Sequence, residues 1–298
     1  MESRTNLDMD ALRTFLTGME LGSFAKAAER LGRSTSAVSA QLRKLEQQAG
    51  TPVFRKSGRG LALTDAGERL LSYARRLLDL NDEAVGALRH VDLEGLVRLG
   101  LQEDFGETIL PSVLGRFSRS HPRVRIEAHI ARNAELMAGI ESDRLDLALA
   151  WQVRQVGTTR ALAELPMIWV GASDREDTLP VGKPLPLAAL EAPCVLRSAA
   201  CDALDRAGLA WRMAFVSPSL AGFWAAIAAG LGVGVRTPAG LPPSVRQIES
   251  ATSGLPALPS LKLALYVAAS RPTPVTTELG DLIADAVRQS LPQYGLAY

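Results

Sequence analysis

The sequence predicts an α/β chain headed by a small all-helical unit, and three observations carry that expectation. Up to residue 89 the apolar residues recur at spacings of three and four, with two short apolar runs of strand character. From Gly95 onward short apolar runs alternate with amphipathic helical stretches, the pattern of an α/β architecture with largely parallel sheets. Charge is segregated as well. Between Arg30 and Gly60 there are seven cations and one acid, Glu46, a local +6 in a chain whose total is +1. A basic patch on an otherwise acidic protein suits a phosphate-rich partner, and a solvated basic face is its plain alternative.

The 298 residues give room for two domains, and 47% hydrophobic with 22% charged residues is ordinary for a soluble globular chain. Cys194 and Cys201 do not make a disulfide framework, which fits a reducing compartment. The opening Met1-Glu2-Ser3-Arg4-Thr5 lacks a basic-then-apolar layout, and the most apolar stretch, 220–235, is broken by glycines. A cytoplasmic protein without a membrane partner is expected.

Residues 9–19 are expected to be helical, because Leu12, Phe15, Leu16 and Met19 share one face. Gly22 ends that helix and Ser23 can cap a second over 24–31, with Ala27, Ala28 and Leu31 inward. Gly32 supplies a tight turn, and Ser34 caps a third helix over 35–48 with Val38, Leu42 and Leu45 as its stripe. Two short strands at 52–54 and 61–63 follow, joined by the basic turn Arg55-Lys56-Ser57-Gly58-Arg59-Gly60.

This is the plan of a winged helix-turn-helix. Small residues at the start of the third helix let it sit deep in a major groove, where hydroxyls both donate and accept. The duplex-facing set is Ser23, Ser34, Thr35, Ser36, Ser39, Gln41, Arg43 and Lys44 on the helices, with Arg55, Lys56 and Arg59 on the hairpin. A cationic hairpin beside such a helix grips the minor groove or its walls.

Residues 7–65 resemble the DNA-binding domain of the LysR-type transcriptional regulators. The carriers include Leu12-Arg13-Thr14-Phe15, Gly22-Ser23-Phe24, Ala27-Ala28-Glu29-Arg30-Leu31-Gly32, Ser34-Thr35-Ser36-Ala37-Val38-Ser39 and Leu63-Thr64-Asp65-Ala66-Gly67. The family often carries Gln where this chain has Thr35, and a polar or basic residue at Ala40. Base preference is therefore expected to differ from a typical member, or to lean on the wing and DNA shape.

A long helix over 65–89 follows, with Leu70, Ala74, Leu77, Ala84 and Leu88 as a coiled-coil-like seam. The resemblance implies that this seam pairs two subunits antiparallel, giving a homodimer and then a homotetramer. Packing on its own domain is the alternative. Residues 90–94 read as a hinge.

Beyond it, strands are expected at 96–101, 124–130, 145–150, 166–170, 194–196, 212–216, 233–236 and 261–269. Helices are expected at 107–120, 133–141, 199–207, 219–229 and 276–290, with Pro- and Gly-rich loops at 174–186 and 238–259. This half resembles the effector domain of the same family, two Rossmann-like lobes similar to type 2 periplasmic binding proteins. Its carriers are Val97-Arg98-Leu99-Gly100, Leu110-Pro111, His121-Pro122, Leu145-Asp146-Leu147-Ala148 and Gly230-Leu231-Gly232-Val233-Gly234. Gln102-Glu103-Asp104, Trp211-Arg212 and the run Ser217-Pro218-Ser219-Leu220-Ala221-Gly222 resemble the LrhA- and HexA-like subgroup. The implied division is 1–65 DNA-binding, 66–90 linker and 91–298 effector domain, with lobe I at about 95–161 and 266–298 and lobe II at about 162–265.

Ligands in such folds bind where strand C-termini and helix N-termini meet between the lobes. The residues at those junctions are Gln102, Glu103, Asp104, Phe105, Arg132, Asn133, Trp151, Arg197, Ser198, Ser217 and Ser219. Asp104 with Glu107 also has capping-box spacing, Ser217-Pro218 resembles a cap, and Trp151 equally suits interlobe packing. Arg132 and Arg197 favour an anionic ligand, Glu103 and Asp104 a cationic or hydroxylated one.

Nucleotide-binding glycine motifs and a nucleophile elbow are missing, and His90, His121 and His129 are not at metal-ligand spacing. No cofactor, metal or catalysis is expected beyond a small-molecule effector. Some relatives sense peroxide through a cysteine pair, and Cys194 and Cys201 flank an expected strand-to-helix turn across which they could meet; two buried thiols are the plainer reading. The function implied is a DNA-binding transcriptional regulator modulated by a small-molecule effector, with double-stranded DNA and RNA polymerase as partners. Its competitors are a solute-binding or enzymatic α/β protein with an incidental helical N-terminus, and a constitutive architectural DNA binder.

Overall fold

The computed structural model describes residues 6–57, 60–89, 93–106, 108–175, 183–269 and 272–291. The chain divides into two compact units, one holding the N-terminal helices and the other nearly all of the chain beyond Asp92.

The first unit is built on α1 (Met9–Glu20), α2 (Phe24–Arg30), α3 (Thr35–Ala49), the hairpin β1 (Phe54–Ser57) and β2 (Gly60–Leu63), and α4 (Asp65–Arg89). Each short helix starts on a side chain that fills an orphan N–H: Asp8 accepts from Ala11, Ser23 from Lys26 and Ser34 from Ala37. Gly32 turns the chain at φ +61°, a backbone that costs a β-carbon-bearing residue energy. Leu12, Phe15, Ala28, Val38, Leu42 and Leu45 form the core, joined by Val53 and Leu63 from the hairpin and by Ala74 and Leu78 from α4. Phe54 meets Phe15 and Phe24 edge-on, at 5.6 and 5.4 Å between ring centres.

Two expectations change here. The first strand runs over 54–57 rather than 52–54, so Arg55 and Lys56 lie in the ladder, not in the turn. Ala74 is fully buried and Leu70 and Leu77 pack against the same core, so these three serve the domain's own core, while Ala84 and Leu88 of the expected seam stay exposed. Among the described side chains of α4, the large apolar ones left in solvent are Tyr73, Leu80, Val85 and Leu88, 57%, 61%, 37% and 81% exposed, and Ala84 is exposed as well. At spacings of seven, four and four, Tyr73, Leu80, Ala84 and Leu88 share one stripe, with Val85 to its side. Residues 90–92 of the expected hinge lie outside the described residues.

The second unit runs β3 (Gly95–Gln102), α5 (Glu103–Gly106), α6 (Leu110–Ser120), β4 (Val124–Ala131), α7 (Asn133–Glu141), β5 (Leu147–Trp151), β6 (Thr158–Pro166), β7 (Ile168–Ala172) and β8 (Leu185–Leu190). It continues with α8 (Val195–Arg206), β9 (Trp211–Ser217), α9 (Leu220–Ala228), β10 (Gly234–Arg236), β11 (Val245–Ile248), α10 (Ser250–Ser253), β12 (Ser260–Val267) and α11 (Pro274–Ser290). Lobe I is a five-stranded sheet in the order β4-β3-β5-β12-β6. Lobe II holds the antiparallel group β10-β7-β11 and the parallel pair β8-β9, linked by a parallel bridge from Leu187 to Val233.

The sheets are mixed rather than largely parallel, because β12 pairs antiparallel with both β5 and β6. That pairing also moves the lobe boundaries. Both crossings lie where Met167 N–H donates to Pro259 O at 3.0 Å, so lobe II spans about 167–259 rather than 162–265. Residues 194–196 begin α8 instead of forming a strand, since Leu196, Ala200, Ala203 and Leu204 share its buried face. The strand is β8, which begins at the end of the expected loop over 174–186 and runs on to Leu190. Its Pro186 suggests a break but donates nothing to the ladder, and its carbonyl accepts from Val233 N–H at 2.9 Å. β11 and α10 likewise sit in the expected loop over 238–259, and the helix expected from 107 begins at Leu110 after the single turn of α5.

Candidate nucleic-acid interface and interlobe cleft

Two regions of the molecule bring predicted residues together. The first is the outer face of α3 with the adjoining hairpin. Glu46, on the far end of α3, accepts from the N–H groups of Val53 and Phe54 at 2.8 and 3.1 Å, which fixes the hairpin beside the helix. Thr35, Ser36, Ser39, Ala40 and Arg43 are all exposed. Ser34 Oγ lies 2.9 Å from Ser36 Oγ. The Ser39 hydroxyl donates to Thr35 O at 2.9 Å, which leaves its lone pairs to accept.

Other members of the set are already engaged. Lys44 Nζ holds Asp8 at 2.6 Å and, as the largest cause, draws that carboxyl below the usual range. Gln41 Oε1 is buried without a hydrogen-bond partner, so it faces inward rather than toward a duplex. Ser23 spends its hydroxyl on the α2 cap. Arg55 Nε donates to Leu63 O at 3.0 Å across the hairpin, which orients its guanidinium, and Lys56 is exposed beside it. Arg59 lies outside the described residues.

The second region is a cleft of about 390 Å³ between the lobes of the second unit. Of the predicted residues, Gln102, Arg132, Asn133, Trp151 and Ser198 line it. Asn133 Oδ1 accepts from Trp151 N–H at 2.8 Å, which joins the start of α7 to the end of β5. Arg132 crosses the lobes to Glu191 O at 3.0 Å. Phe105 sits behind the wall, its ring 5.2 Å from that of Trp151. Arg197 does not line the cleft, and neither do Ser217 and Ser219. Ser219 caps α9 by accepting from Gly222 N–H, while the Ser217 hydroxyl binds the backbone of Ser219; the cap is two residues later than expected.

Asp104 is not a helix cap. It forms a buried ion pair with Arg236, the last residue of β10, which also stacks 5.5 Å from the Phe223 ring. Arg236 was not in the predicted set, although a cation closing the apolar run Gly232-Val233-Gly234-Val235 is the signal that could have found it. Burial pushes the Glu103 carboxyl above the ordinary range, against the opposing pull of the Leu220 N–H at the start of α9 and of Arg236, and its Oε2 is buried without a hydrogen-bond partner. Several polar atoms around the cleft are buried without partners: Gln102 Oε1, Trp151 Nε1, Arg236 Nε and Thr237 Oγ1. A native site tolerates such atoms when something else is meant to satisfy them.

The cysteines are two free thiols that cannot bridge, and both are half-buried rather than buried. Cys194 is the N-cap of α8 and Cys201 lies seven positions on, about 10 Å along the axis at ~1.5 Å per residue, whereas a disulfide spans at most roughly 7 Å between α-carbons. Burial also raises the Cys201 thiol, which weakens it as a nucleophile.

Comparison with known proteins agrees with this geometry. Residues 9–68 match the bacterial regulatory helix-turn-helix protein model of the lysR family, and residues 90–288 match the LysR substrate binding domain. The chain is 33% identical over 286 residues to the transcriptional regulator PecT of Dickeya dadantii, covering 96% of this chain and 90% of that one. It is 34% identical over 287 residues to the regulator DgdR of Burkholderia cepacia, covering 96% and 95%. Among solved structures, HinK, a LysR family regulator of Pseudomonas aeruginosa, superposes with a TM-score of 0.53 at 21% identity, over 94% of this chain and 98% of its own. DarR of Vibrio fischeri, solved in complex with DNA, gives 0.51 at 16% identity over 94% and 99%. At those identities the two structures speak for the fold. The chain belongs to the LysR family of transcriptional regulators, with a helix-turn-helix DNA-binding domain and an effector-binding domain.

Proposed function

We propose that this regulator works as a homodimer, and as a homotetramer of paired dimers, in the cytoplasm. The α4 stripe of Tyr73, Leu80, Ala84 and Leu88 joins the subunits. Large apolar side chains aligned on one exposed helical face are what an antiparallel helix pair buries. Two α3 helices then read the half-sites of an imperfect palindrome, while Arg55, Lys56 and Arg59 hold phosphates or the minor groove. A small molecule bound between the lobes changes their relative angle and so the spacing of the DNA-binding domains, which alters DNA bending and engagement of RNA polymerase.

The observation that carries this reading is the exposed face of α3, where Ser36, Ser39 and Arg43 stand free of the core beside a hairpin pinned by Glu46. Selection of duplexes from a random library by the full chain tests it. Recovery of two related half-sites, roughly ten base pairs apart centre to centre or a multiple of that, is expected. Recovery of no common sequence would instead support the architectural binder.

A further inference from the structure

Two of the seven cations between Arg30 and Gly60 are held by acids at the start of α1, outside that segment. Lys44 Nζ lies 2.6 Å from Asp8 Oδ2, and Arg33 Nη2 lies 2.8 Å from Asp10 Oδ2. Both pairs meet solvent. An exposed pair of this kind shifts an equilibrium constant by no more than about fivefold, so a phosphate can displace the carboxylate.

The backbone places these residues independently of their charges. Asp8 Oδ1 accepts from Ala11 N–H at 2.9 Å, which caps α1, and Asp8 N–H donates to Gln48 Oε1 at 3.0 Å. Its second oxygen, Oδ2, is the one that meets Lys44. Asp10 stands in the first turn of α1. Arg33 N–H donates to Ala28 O at 2.9 Å, which fixes it in the turn just before Ser34, the cap of α3. Lys44 lies four residues on from Ala40, beside the exposed row Ser36, Ala40, Arg43 and Gln47. The two cations therefore flank the outer face of α3 on the side of α1, one before the helix begins and one in its second half.

Taking that face as the one laid against a duplex, we propose that Asp8 and Asp10 stand in the free protein where DNA phosphates stand in the complex. Each carboxylate neutralises a cation that would otherwise grip the backbone of any duplex, and binding exchanges carboxylate for phosphate. Arg33 thereby joins Lys44 as a phosphate contact. The two acids limit how strongly the chain holds DNA of every sequence, because binding neutralises one net charge fewer for each pair.

The test uses the full chain with a duplex selected from a random library and a scrambled duplex of the same composition, titrated by anisotropy across a salt series. Asp8→Asn keeps an oxygen for the cap of α1, so its melting temperature is expected to stay near that of the parent. Asp8→Asn and Asp10→Asn are each expected to raise affinity for both duplexes alike, by about two- to fivefold at moderate salt, and to steepen the slope of log affinity against log salt by up to about 0.9. The exchange acts through one cation in each pair. Most of the gain is therefore expected to be lost when Asp8→Asn is combined with Lys44→Gln, or Asp10→Asn with Arg33→Gln, each measured against its single glutamine variant. A gain of the same size with and without the cation would overturn the exchange, since it would report only relief of general repulsion. Unchanged affinity and slope in both asparagine variants, with the parent still preferring the selected duplex, would overturn the exchange and leave α3 as the reading surface. Equal binding of both duplexes by the parent would remove the reading surface on which the exchange rests.

Discussion

Asp104 and Arg236 form an ion pair between the two lobes with essentially no solvent at either side chain, 132 residues apart in the chain. Asp104 follows the first strand of lobe I and Arg236 ends a strand of lobe II. The pair is therefore a clasp across the cleft rather than a support inside one lobe. A further contact between the lobes runs from Arg132 to Glu191 O at 3.0 Å.

Removing one member leaves an uncompensated buried charge. Asp104→Ala is expected to destabilise the second unit by about 3–5 kcal/mol, and the pair Asp104→Leu with Arg236→Met to recover most of that loss. Urea unfolding of the three variants checks it. Equal losses in the single and double variants would show that packing, not charge, sets the cost.

Glu103 gives stability a pH dependence. Its carboxyl is raised by burial, so the folded state holds the proton more tightly than the unfolded one. The contribution is fully present below the ordinary glutamate value of 4.5 and is lost as pH rises through the folded value. Glu103→Gln keeps the shape without the titrating carboxyl and is expected to flatten melting temperature against pH above that point. A slope identical to that of the parent would remove Glu103 as its source.

On DNA, Arg55 and Ser36 should separate. Arg55→Ala is expected to weaken binding to all duplexes alike and to lower the slope of log affinity against log salt by about 1. Ser36→Ala is expected to leave that slope unchanged and to alter which half-site is preferred. Anisotropy titrations across a salt series distinguish them, and an unchanged slope in Arg55→Ala would take it out of phosphate contact.

Charge placed on the α4 stripe predicts a monomer. Leu80→Asp and Leu88→Asp change exposed residues, so neither should disturb the fold of one subunit, yet together they place like charges in an apolar seam. Sedimentation is expected to show the dimer lost at concentrations where the parent is paired. Ala74→Asp, by contrast, should unfold the N-terminal domain, since Ala74 lies in its core.

What was legible in the sequence follows from the range of the forces involved. The helices of the N-terminal unit are set by local caps and by spacings within one helix, and Asp65–Arg89 stands as expected to the residue. The hairpin register needed Glu46 and Phe54, whose partners lie outside the strand, so the first strand was placed two residues early. In the second unit, β8 carries a proline and β6 is half-exposed at a sheet edge, and neither shows a clean period. Asp104 has the local spacing of a cap, and only the tertiary fold brings Arg236 to it. The expected α4 seam divides for a related reason: Ala74 and Leu88 are both apolar at helical spacings, and which of them the domain takes for its own core is decided by Val53, Leu63 and Phe15. Gln102, Arg132, Asn133, Trp151 and Ser198 reach the cleft because strand ends and helix starts do so in any two-lobed α/β fold.

The most direct measurement is competition binding by the full chain, in which a duplex recovered by selection is challenged by a scrambled duplex of the same composition at moderate salt. Preference for the recovered duplex by a factor of roughly a thousand or more is expected, falling sharply when Ser36, Ser39 and Arg43 are all replaced by alanine. Equal affinity for both duplexes, or a preference that survives the triple replacement, would contradict the assignment of the α3 face as the reading surface.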